Sequence, residues 1–257
     1  MPIRNIARRL RDNDWLAFAI EVLIVIAGVF IGLQVNNWNQ DRQDAARGRE
    51  YLMRLRADFV EEVAATGRVV AFWGQTAHYA DAALANAQSG TLVDDSAWKT
   101  LLAYYQASQV WPLRQPGTTF DEIRSSGELR LIADPALRDA ISRHYDRASG
   151  NQSVEVLNTL PAYREHVRGI VPWPVQQHIW ANCFWTDGVN QRLIDCAAPM
   201  GEGEAKALVD LLRQQEALIR ELRFWRANLE AGAVVIGEIQ KHTASLQQDI
   251  DGELAKR

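Results

Sequence analysis

Apolar residues are concentrated in one run near the start of the chain, from Trp15 to Val35, where Glu21 is the single charged residue. At about 1.5 Å per residue, a helix over this run covers the roughly 30 Å hydrocarbon core of a bilayer. Trp15 and Trp38 stand at its two ends, where interfacial aromatic residues are common. A cleavable signal peptide is the alternative, but its apolar core is shorter, about 7–15 residues, and ends at a small-residue cleavage site. The pattern therefore predicts a retained transmembrane helix over residues 15–35.

Positive charge flanks this run on both sides. Arginine residues precede it within residues 1–14, and Arg42, Arg47 and Arg49 follow it at a similar distance. Flanking Lys and Arg residues favour the cytoplasmic side, and the denser cluster lies in the short N-terminal tail. We therefore expect a bacterial inner-membrane protein with residues 1–14 as a cytoplasmic tail. Residues 36–257 would form an extracytoplasmic domain, which is periplasmic in a Gram-negative cell.

Two long segments carry apolar residues at spacings of three and four, which is the pattern of an amphipathic helix. The first covers residues 41–88 and contains no proline, so it should continue the membrane helix until Ser89-Gly90 ends it. The second begins near Glu204 and continues for roughly fifty residues, almost to the end of the chain. Two such helices joined by a compact middle most simply lie antiparallel in a bundle. The sequence therefore predicts an all-α fold with two very long helices.

The region between the long helices has the start signals of several shorter helices. An acidic or hydroxyl side chain before a helix accepts a hydrogen bond from a free backbone amide, and proline fits the first turn. No convincing strand alternation extends over four residues or more. The expected elements are a helix from Ala97 to about Gln109 capped by Asp94 or Asp95, a short helix with a capping box of Thr119 and Glu122, a helix from Pro135 to Gly150 capped by Asp134, and a helical stretch at 154–169 that Pro161 breaks or kinks.

Helical periodicity disappears between residues 172 and 199, where tryptophan, proline and polar turn residues predominate. We therefore expect an irregular insert there. It contains both cysteines of the chain, Cys183 and Cys196. In an oxidising compartment they could form a disulfide that contributes roughly 3 kcal/mol, but two buried free thiols also fit the spacing. Neither cysteine has a second Cys or a His two to four residues away, so no zinc site is predicted.

The charged residue of the apolar run shares one helix face with small and polar residues. At about 100° per residue, Glu21 and these small and polar residues fall within a stripe about 60° wide on the helix surface. Two glycines in it form a GxxxG pattern, which lets two membrane helices approach closely. Because a carboxylate that faces lipid is costly, we interpret the stripe as a packing face for a second copy or another membrane protein; the alternative is that local thinning and hydration of the bilayer accommodate the charge. The residues of this face are Ala17, Glu21, Gly28, Gly32 and Asn39.

Charge and motifs argue against several functional classes. The net charge is -4 and the acidic excess follows the apolar run, so we expect no nucleic-acid partner. The sequence has no nucleophile elbow, phosphate loop, zinc-protease pair or dinucleotide fingerprint. We therefore predict no cofactor, metal or catalytic residue. His78 and His144 lie on helices that could pack together, in a polar contact rather than a metal site.

Aromatic and arginine residues in the middle of the chain could line a pocket for an anionic or aromatic small molecule. The alternative is that these aromatic side chains fill the core, to which large aromatic residues contribute much of the buried area. The candidate residues are Tyr104, Tyr105, Trp111, Arg114, Arg124 and Arg130, together with Trp173, Trp180 and Trp185.

Two segments, EVLIVIAGVFIGLQVNNWNQDRQ and TTFDEIRSSGELRLIADPALRDAISRHYD, carry a resemblance that covers residues 1–150. Their shared features are a Gln-Val-Asn-Asn-Trp-Asn segment at Gln34–Asn39 and a Ser-Ser-Gly turn at Ser125–Gly127. In these features the chain resembles a widespread bacterial family catalogued only as a domain of unknown function. The resemblance implies one N-terminal span and a helical body, but no activity. Further matching positions are Leu129, Leu131, Ile132 and Tyr145.

These expectations leave three functional hypotheses. The first is a non-catalytic interaction or accessory subunit that assembles through its span and its long helices. The second is an extracytoplasmic ligand-sensing domain that signals through a partner protein, because residues 1–14 alone would remain in the cytoplasm. An enzyme comes third, since no catalytic motif supports it. The expected partners are the lipid bilayer and either a second copy of the chain or another membrane protein.

Overall fold

The computed structural model describes residues 15–113, 117–149 and 159–256, without the side chains of residues 147–149. The predicted cytoplasmic tail, Arg114 and the start of the helical stretch predicted at 154 lie outside these ranges. Within them the chain is all-α apart from one two-stranded hairpin, which confirms the predicted fold class. In chain order the elements are α1 Trp15–Ser89, α2 Ala97–Gln106, α3 Thr118–Ser125, a 3-10 helix Glu128–Leu131, α4 Pro135–Ser149, α5 Ala162–Ile170, α6 Trp173–Asn182, β1 Phe184–Thr186, β2 Gln191–Leu193, α7 Glu202–Arg213 and α8 Glu216–Ala255.

Helix α1 extends without a break over 75 residues, which corresponds to about 110 Å. This confirms the prediction that the apolar run continues directly into the amphipathic helix. Gly90 follows the helix with a φ of 77°, a conformation that favours glycine at a helix end. Residues 15–43 are exposed throughout, and Gly48 is the first buried residue of the helix. The helix is long and apolar enough to cross a membrane.

Helix α2 begins at Ala97, as predicted, but its predicted cap is wrong. Its cap is Ser96, whose hydroxyl accepts a hydrogen bond from the backbone amide of Lys99 at 3.3 Å. The predicted caps, Asp94 and Asp95, instead lie in the preceding turn with φ of 47° and 57°. Helix α2 also ends earlier than predicted, at Gln106, and all of it except Lys99 is buried.

The start predicted for α3 is wrong, because the helix follows Gly117 and lacks the predicted capping box. The carboxylate of Glu122 binds the guanidinium group of Arg54 on α1, so a tertiary contact replaces the local one. At α4 the prediction is confirmed. Asp134 Oδ1 accepts hydrogen bonds from two backbone amides of the first turn, at 2.8 and 3.3 Å. Helix α5 begins directly after Pro161, where the sequence predicted a break.

Residues 172–199 are more regular than predicted, because they contain α6 and the antiparallel hairpin of β1 and β2. The helix is short, and its buried residues are Val175 and Ile179. Strands of three residues are too short to show a period of two. Neither element therefore produced a pattern that could be recognised in the sequence.

The second long helix is shorter than predicted, because the segment from Glu204 is divided into α7 and α8. Gln215 has an extended conformation between them. Residues 213–216 read Arg-Gln-Gln-Glu, so a continuous helix would have no apolar side chain for its next inward position. The break lets α7 pack against α2 instead of extending the line of α8.

Helix α8 lies antiparallel to α1, as the sequence predicted for the two long helices. Apolar residues from both helices enter two clusters, the larger with α2, α5, α6 and α7 and the smaller with α3 and α4. A layer of buried polar side chains, which includes Glu62 and Thr243, separates the two clusters along the pair. The antiparallel direction is given by three contacts, Arg56 with Asp251, Glu62 with Thr243 and Asp81 with Arg226.

Candidate functional site

The residues of the predicted packing face are all exposed on the first part of α1. A Cβ atom added at Gly28 or Gly32 would meet no atom within 4 Å. The chain itself therefore leaves this face open to another molecule. The face comprises Ala17, Glu21, Gly28, Gly32 and Asn39, as the sequence predicted them.

A line of uncharged positions that passes through Gly32 and Asn39 stays open where α1 joins the bundle. Every seventh residue from Phe18 to Gly74 is uncharged, and all of these positions are exposed except the half-buried Gly67. Positions seven apart drift by about 20° per seven residues, so this line winds slowly around the helix, by about 160° from Phe18 to Gly74, as the contact line of a left-handed supercoil does. We call this line the outer stripe; it consists of Phe18, Val25, Gly32, Asn39, Ala46, Met53, Val60, Gly67 and Gly74.

The two cysteines meet at the base of the hairpin. Cys183 and Cys196 form a disulfide with Cα atoms 5.1 Å apart, and the Cys183 side is fully buried. His178 Nε2 lies 3.9 Å from Cys196 Sγ and 2.8 Å from the carbonyl oxygen of Ala197. A metal would need thiolates from the cysteines, and the disulfide removes them. In this state the group fastens the hairpin rather than binding an ion.

The tyrosines of the predicted pocket fill the core instead. Tyr104 and Tyr105 on α2 are fully buried in the larger cluster. Their hydroxyl groups donate to Asn86 Oδ1 at 3.1 Å and to Gln176 Oε1 at 3.3 Å. Burial raises the pKa of both phenols. These side chains are structural, as the alternative interpretation of the sequence stated.

The predicted arginines lie near the smaller cluster, away from the tyrosines. Arg124 extends over the ring of Phe120 on α3. Arg130 binds Asp44 on α1 at 3.2 Å. The described residues therefore do not form the predicted pocket, and Arg114 lies outside them. Spacing along the sequence did not reveal that the tyrosines and these arginines lie at different ends of the bundle.

The arginines that do reach Tyr105 are Arg164 and Arg168 on α5, which the sequence analysis missed. Arg164 donates to the carbonyl oxygen of Ser108 at 2.7 Å, and Arg168 lies 4.8 Å from the centre of the Tyr105 ring. Burial lowers the pKa of Arg164 to about 10 and also lowers that of Arg168. Their spacing of four residues places them one turn apart on the same helix face, a signal that was available. Because the loop after α2 occupies both guanidinium groups, they stabilise the core.

An open cavity of about 350 Å³ lies where α1 meets the hairpin. Trp111 and Trp185, two of the aromatic residues selected from the sequence, line it. The arginines beside them are Arg68 and Arg192, which were not selected because they are distant in the chain. We call this cavity the hairpin pocket; its polar and aromatic lining residues are Arg68, Phe72, Gln75, Trp111, Trp185, Asn190, Gln191 and Arg192.

The helices that carry His78 and His144, α1 and α4, pack together as predicted, but the two histidine side chains lie apart. His144 Nε2 lies 3.0 Å from Glu62 Oε2 in the polar layer. His78 lies about 24 Å farther along α1 than Glu62, where its ring contacts that of Tyr79. The partner of the buried His144 is therefore the carboxylate of Glu62 and not the ring of His78.

No protein-family model matches this chain, and neither a curated protein nor a solved structure matches it. The resemblance to the family of unknown function stays a prediction from the sequence. Three features of the described residues bear on function: the outer stripe, the hairpin pocket and the apolar start of α1.

Proposed function

We propose that this protein is a non-catalytic interaction subunit, anchored in a membrane by the start of α1, that assembles side by side with a second copy through the outer stripe. The observation that carries the proposal is the uninterrupted course of the stripe from the apolar part of α1 into the part that packs in the bundle. One continuous helix presents the same kind of surface inside and outside the membrane.

The anchor is supported by the exposure of its apolar side chains. Large hydrophobic residues from Trp15 to Trp38 are exposed, and no other part of the described chain covers them. Exposed apolar surface on this scale is unfavourable in water, at roughly 25 cal/mol per Å², and favourable in hydrocarbon. The arginine-rich tail favours a cytoplasmic N-terminus. The disulfide in the body accords with an oxidising compartment outside the inner membrane.

A second copy of the chain is the partner that fits the stripe both inside and outside the membrane. Two copies anchored in the same orientation present identical stripes, so a twofold axis parallel to the helices would bring each stripe against itself. Gly32 of the stripe and Gly28 beside it let the backbones approach, as in small-xxx-small membrane pairs. Outside the membrane, Met53 and Val60 supply apolar area, with exposed fractions of 50% and 51%. A repeat of seven residues is the spacing that keeps two such helices in contact along a left-handed supercoil.

The carboxyl group of Glu21 gains a partner in this arrangement. In a parallel pair the two Glu21 residues lie at the same depth, close to the stripe. One carboxyl group that retains its proton can donate a hydrogen bond to the other, which avoids the cost of a charge that faces lipid. Polar hydrogen bonds of this kind contribute about 1 kcal/mol to helix association in membranes.

A reporter of membrane-helix self-association tests the span directly. Substitution Gly28→Leu adds bulk within the face, whereas Ala27→Leu adds bulk on a side about 100° away. We expect Gly28→Leu to lower the signal severalfold and Ala27→Leu to leave it near the wild-type value. Equal signals for wild type, Gly28→Leu and Glu21→Ala would reject self-association of the span and leave another membrane protein as the partner.

A second candidate function, ligand sensing with output through a partner protein, is supported by the hairpin pocket. The pocket opens beside α1, so an occupied pocket would contact the helix that enters the membrane. Self-association and sensing are compatible, because none of the residues that line the pocket belongs to the stripe.

A further inference from the structure

We propose that the hairpin pocket binds a small planar anion, an aromatic or heteroaromatic carboxylate. The inference does not depend on self-association, because the pocket is formed within one chain. It rests on three properties of the lining: its size, its charge and the arrangement of its two indole rings.

The size of the pocket fits one small molecule. Its volume of about 350 Å³ lies at the lower end of the range for small-molecule sites, roughly 300–1,000 Å³. A ligand of one or two fused rings with a carboxylate is therefore favoured over a peptide or a lipid chain. The apolar floor is formed by Ala71 and Phe72 of α1.

The lining carries positive charge without a carboxylate of its own. Arg68 and Arg192 line the pocket, and none of its lining residues is acidic. Among the described residues Arg192 forms no ion pair within 4.0 Å, while Arg68 contacts the largely exposed Glu61. An exposed pair of this kind contributes little, about 0–1 kcal/mol, so Arg68 remains free to bind a ligand. Guanidinium groups bind carboxylates through two parallel hydrogen bonds, which favours this anion.

The two tryptophans provide flat walls for a ring. Trp111 is held in place by an edge contact to Phe72 and by its carbonyl oxygen, which accepts a hydrogen bond from Trp73 Nε1 at 3.1 Å. On the hairpin, the guanidinium group of Arg192 lies 4.2 Å from the ring centre of Trp185. A guanidinium that stacks on an indole keeps its N–H donors at the edge, available to a carboxylate. An aromatic carboxylate can therefore stack and be bound by charge at the same time.

The hairpin wall is fixed to α1 by specific contacts, so the pocket is preformed. Gln75 Oε1 accepts a hydrogen bond from the backbone amide of Leu193 at 2.8 Å. The hydroxyl group of Tyr79 donates to Asp195 Oδ1 at 3.0 Å. The disulfide between Cys183 and Cys196 closes the base of the same hairpin. A wall held at three points loses little conformational entropy when a ligand binds.

Calorimetric titration of the purified full-length protein in detergent tests the proposal. The probes are benzoate and indole-3-carboxylate, with benzamide as the uncharged analogue and acetate as the anion without a ring. We expect the two aromatic carboxylates to bind with one site per chain, and benzamide and acetate to bind at least about tenfold more weakly. Failure of both aromatic carboxylates to bind at millimolar concentration, or equal binding of benzamide, would overturn the proposal.

Variants locate the site. Arg192→Gln and Arg68→Gln should each weaken benzoate binding by about tenfold or more, the effect of losing a charge-assisted pair. Arg223→Gln is the matched control, since Arg223 is exposed on α8 and does not line the pocket. Unchanged affinity in both pocket variants, with thermal unfolding like that of wild type, would contradict the assignment. Self-association of the span, measured separately, should be the same in all three variants.

Discussion

His144 Nε2 on α4 lies 3.0 Å from Glu62 Oε2 on α1, and both side chains are buried. The other oxygen of Glu62 accepts a hydrogen bond from the hydroxyl group of Thr243 on α8, at 3.3 Å. This contact therefore joins three helices in the polar layer between the two apolar clusters. A buried polar side chain is costly when it has no partner. The helices therefore align so that the polar side chains of this layer meet.

Substitution Glu62→Ala should destabilise the protein by about 3 kcal/mol, because His144 would stay buried without this carboxylate partner. Chemical denaturation measures the change in the free energy of unfolding. The adjacent Glu61→Ala is the control; its carboxylate is 61% exposed, and a change within about 0.5 kcal/mol is expected. The double variant Glu62→Ala with His144→Ala should cost less than the sum of the single changes. Strict additivity would show that the two residues do not interact.

Gly48 on α1 is required by a close approach of the backbone. A Cβ atom at this position would overlap the carbonyl oxygen of Leu131 in the 3-10 helix. We therefore expect Gly48→Ala to destabilise the fold by about 1–3 kcal/mol, although alanine favours helices. At Gly237 on α8 a Cβ atom meets nothing within 4 Å, so Gly237→Ala should stabilise by about 0.5–1 kcal/mol. Thermal unfolding of both variants would separate these outcomes, and a gain in stability from Gly48→Ala would contradict the packing.

Ser96 joins the start of α2 to α7. Its hydroxyl group accepts from the Lys99 amide and donates to Glu202 Oε1 at 2.9 Å. Substitution Ser96→Ala should cost about 1 kcal/mol, the usual effect of losing a helix cap. Asp95→Gly should be neutral or stabilising, because Asp95 has a φ of 57° that glycine adopts without strain. If Asp95→Gly proved the more damaging change in urea denaturation, the cap would be the one first predicted from the sequence.

The hairpin turn should weaken in acid. Backbone amides of Asn190 and Val189 and the Asn190 side chain hold the pKa of Asp187 at about 2, below its ordinary value of 3.8. Because the folded pKa is the lower one, the stabilisation is complete above about pH 4 and is lost as the pH falls toward 2. Amide exchange at Val189 and Asn190, measured between pH 5 and 2 as a function of pH, should reveal increased opening in that window. Asp187→Asn should remove this extra acid sensitivity, and an identical pH profile in the variant would refute it.

The sequence predicted those parts of the fold that local spacing determines. The continuity of α1 followed from Leu52, Leu55 and Phe59 at spacings of three and four, and from the absence of proline. The cap of α2 was assigned to Asp94 or Asp95, which lie in the turn before Ser96 with positive φ, and Glu122 was mispredicted because Arg54 of α1 competes for its carboxylate. Local rules describe such groups only until a tertiary contact forms.

The sites were harder to predict than the elements. Trp111 and Trp185 were selected for their residue type, but their arginine partners depend on where the hairpin meets α1. Arg68 and Arg192 come together through the contacts of Gln75 and Tyr79 with the hairpin, and no local pattern encodes these contacts. The outer stripe became evident once burial identified which side of α1 faces the bundle.

Cysteine cross-linking in membranes tests side-by-side assembly most directly. Both native cysteines are joined to each other, so Val60→Cys introduces a single free thiol, on the outer stripe. Val234→Cys is the control, since Val234 on α8 is 64% exposed and lies outside the stripe. After mild oxidation of intact membranes, we predict a covalent dimer for Val60→Cys and a monomer for Val234→Cys. A monomer for Val60→Cys, or equal dimer formation by both variants, would contradict assembly through the outer stripe.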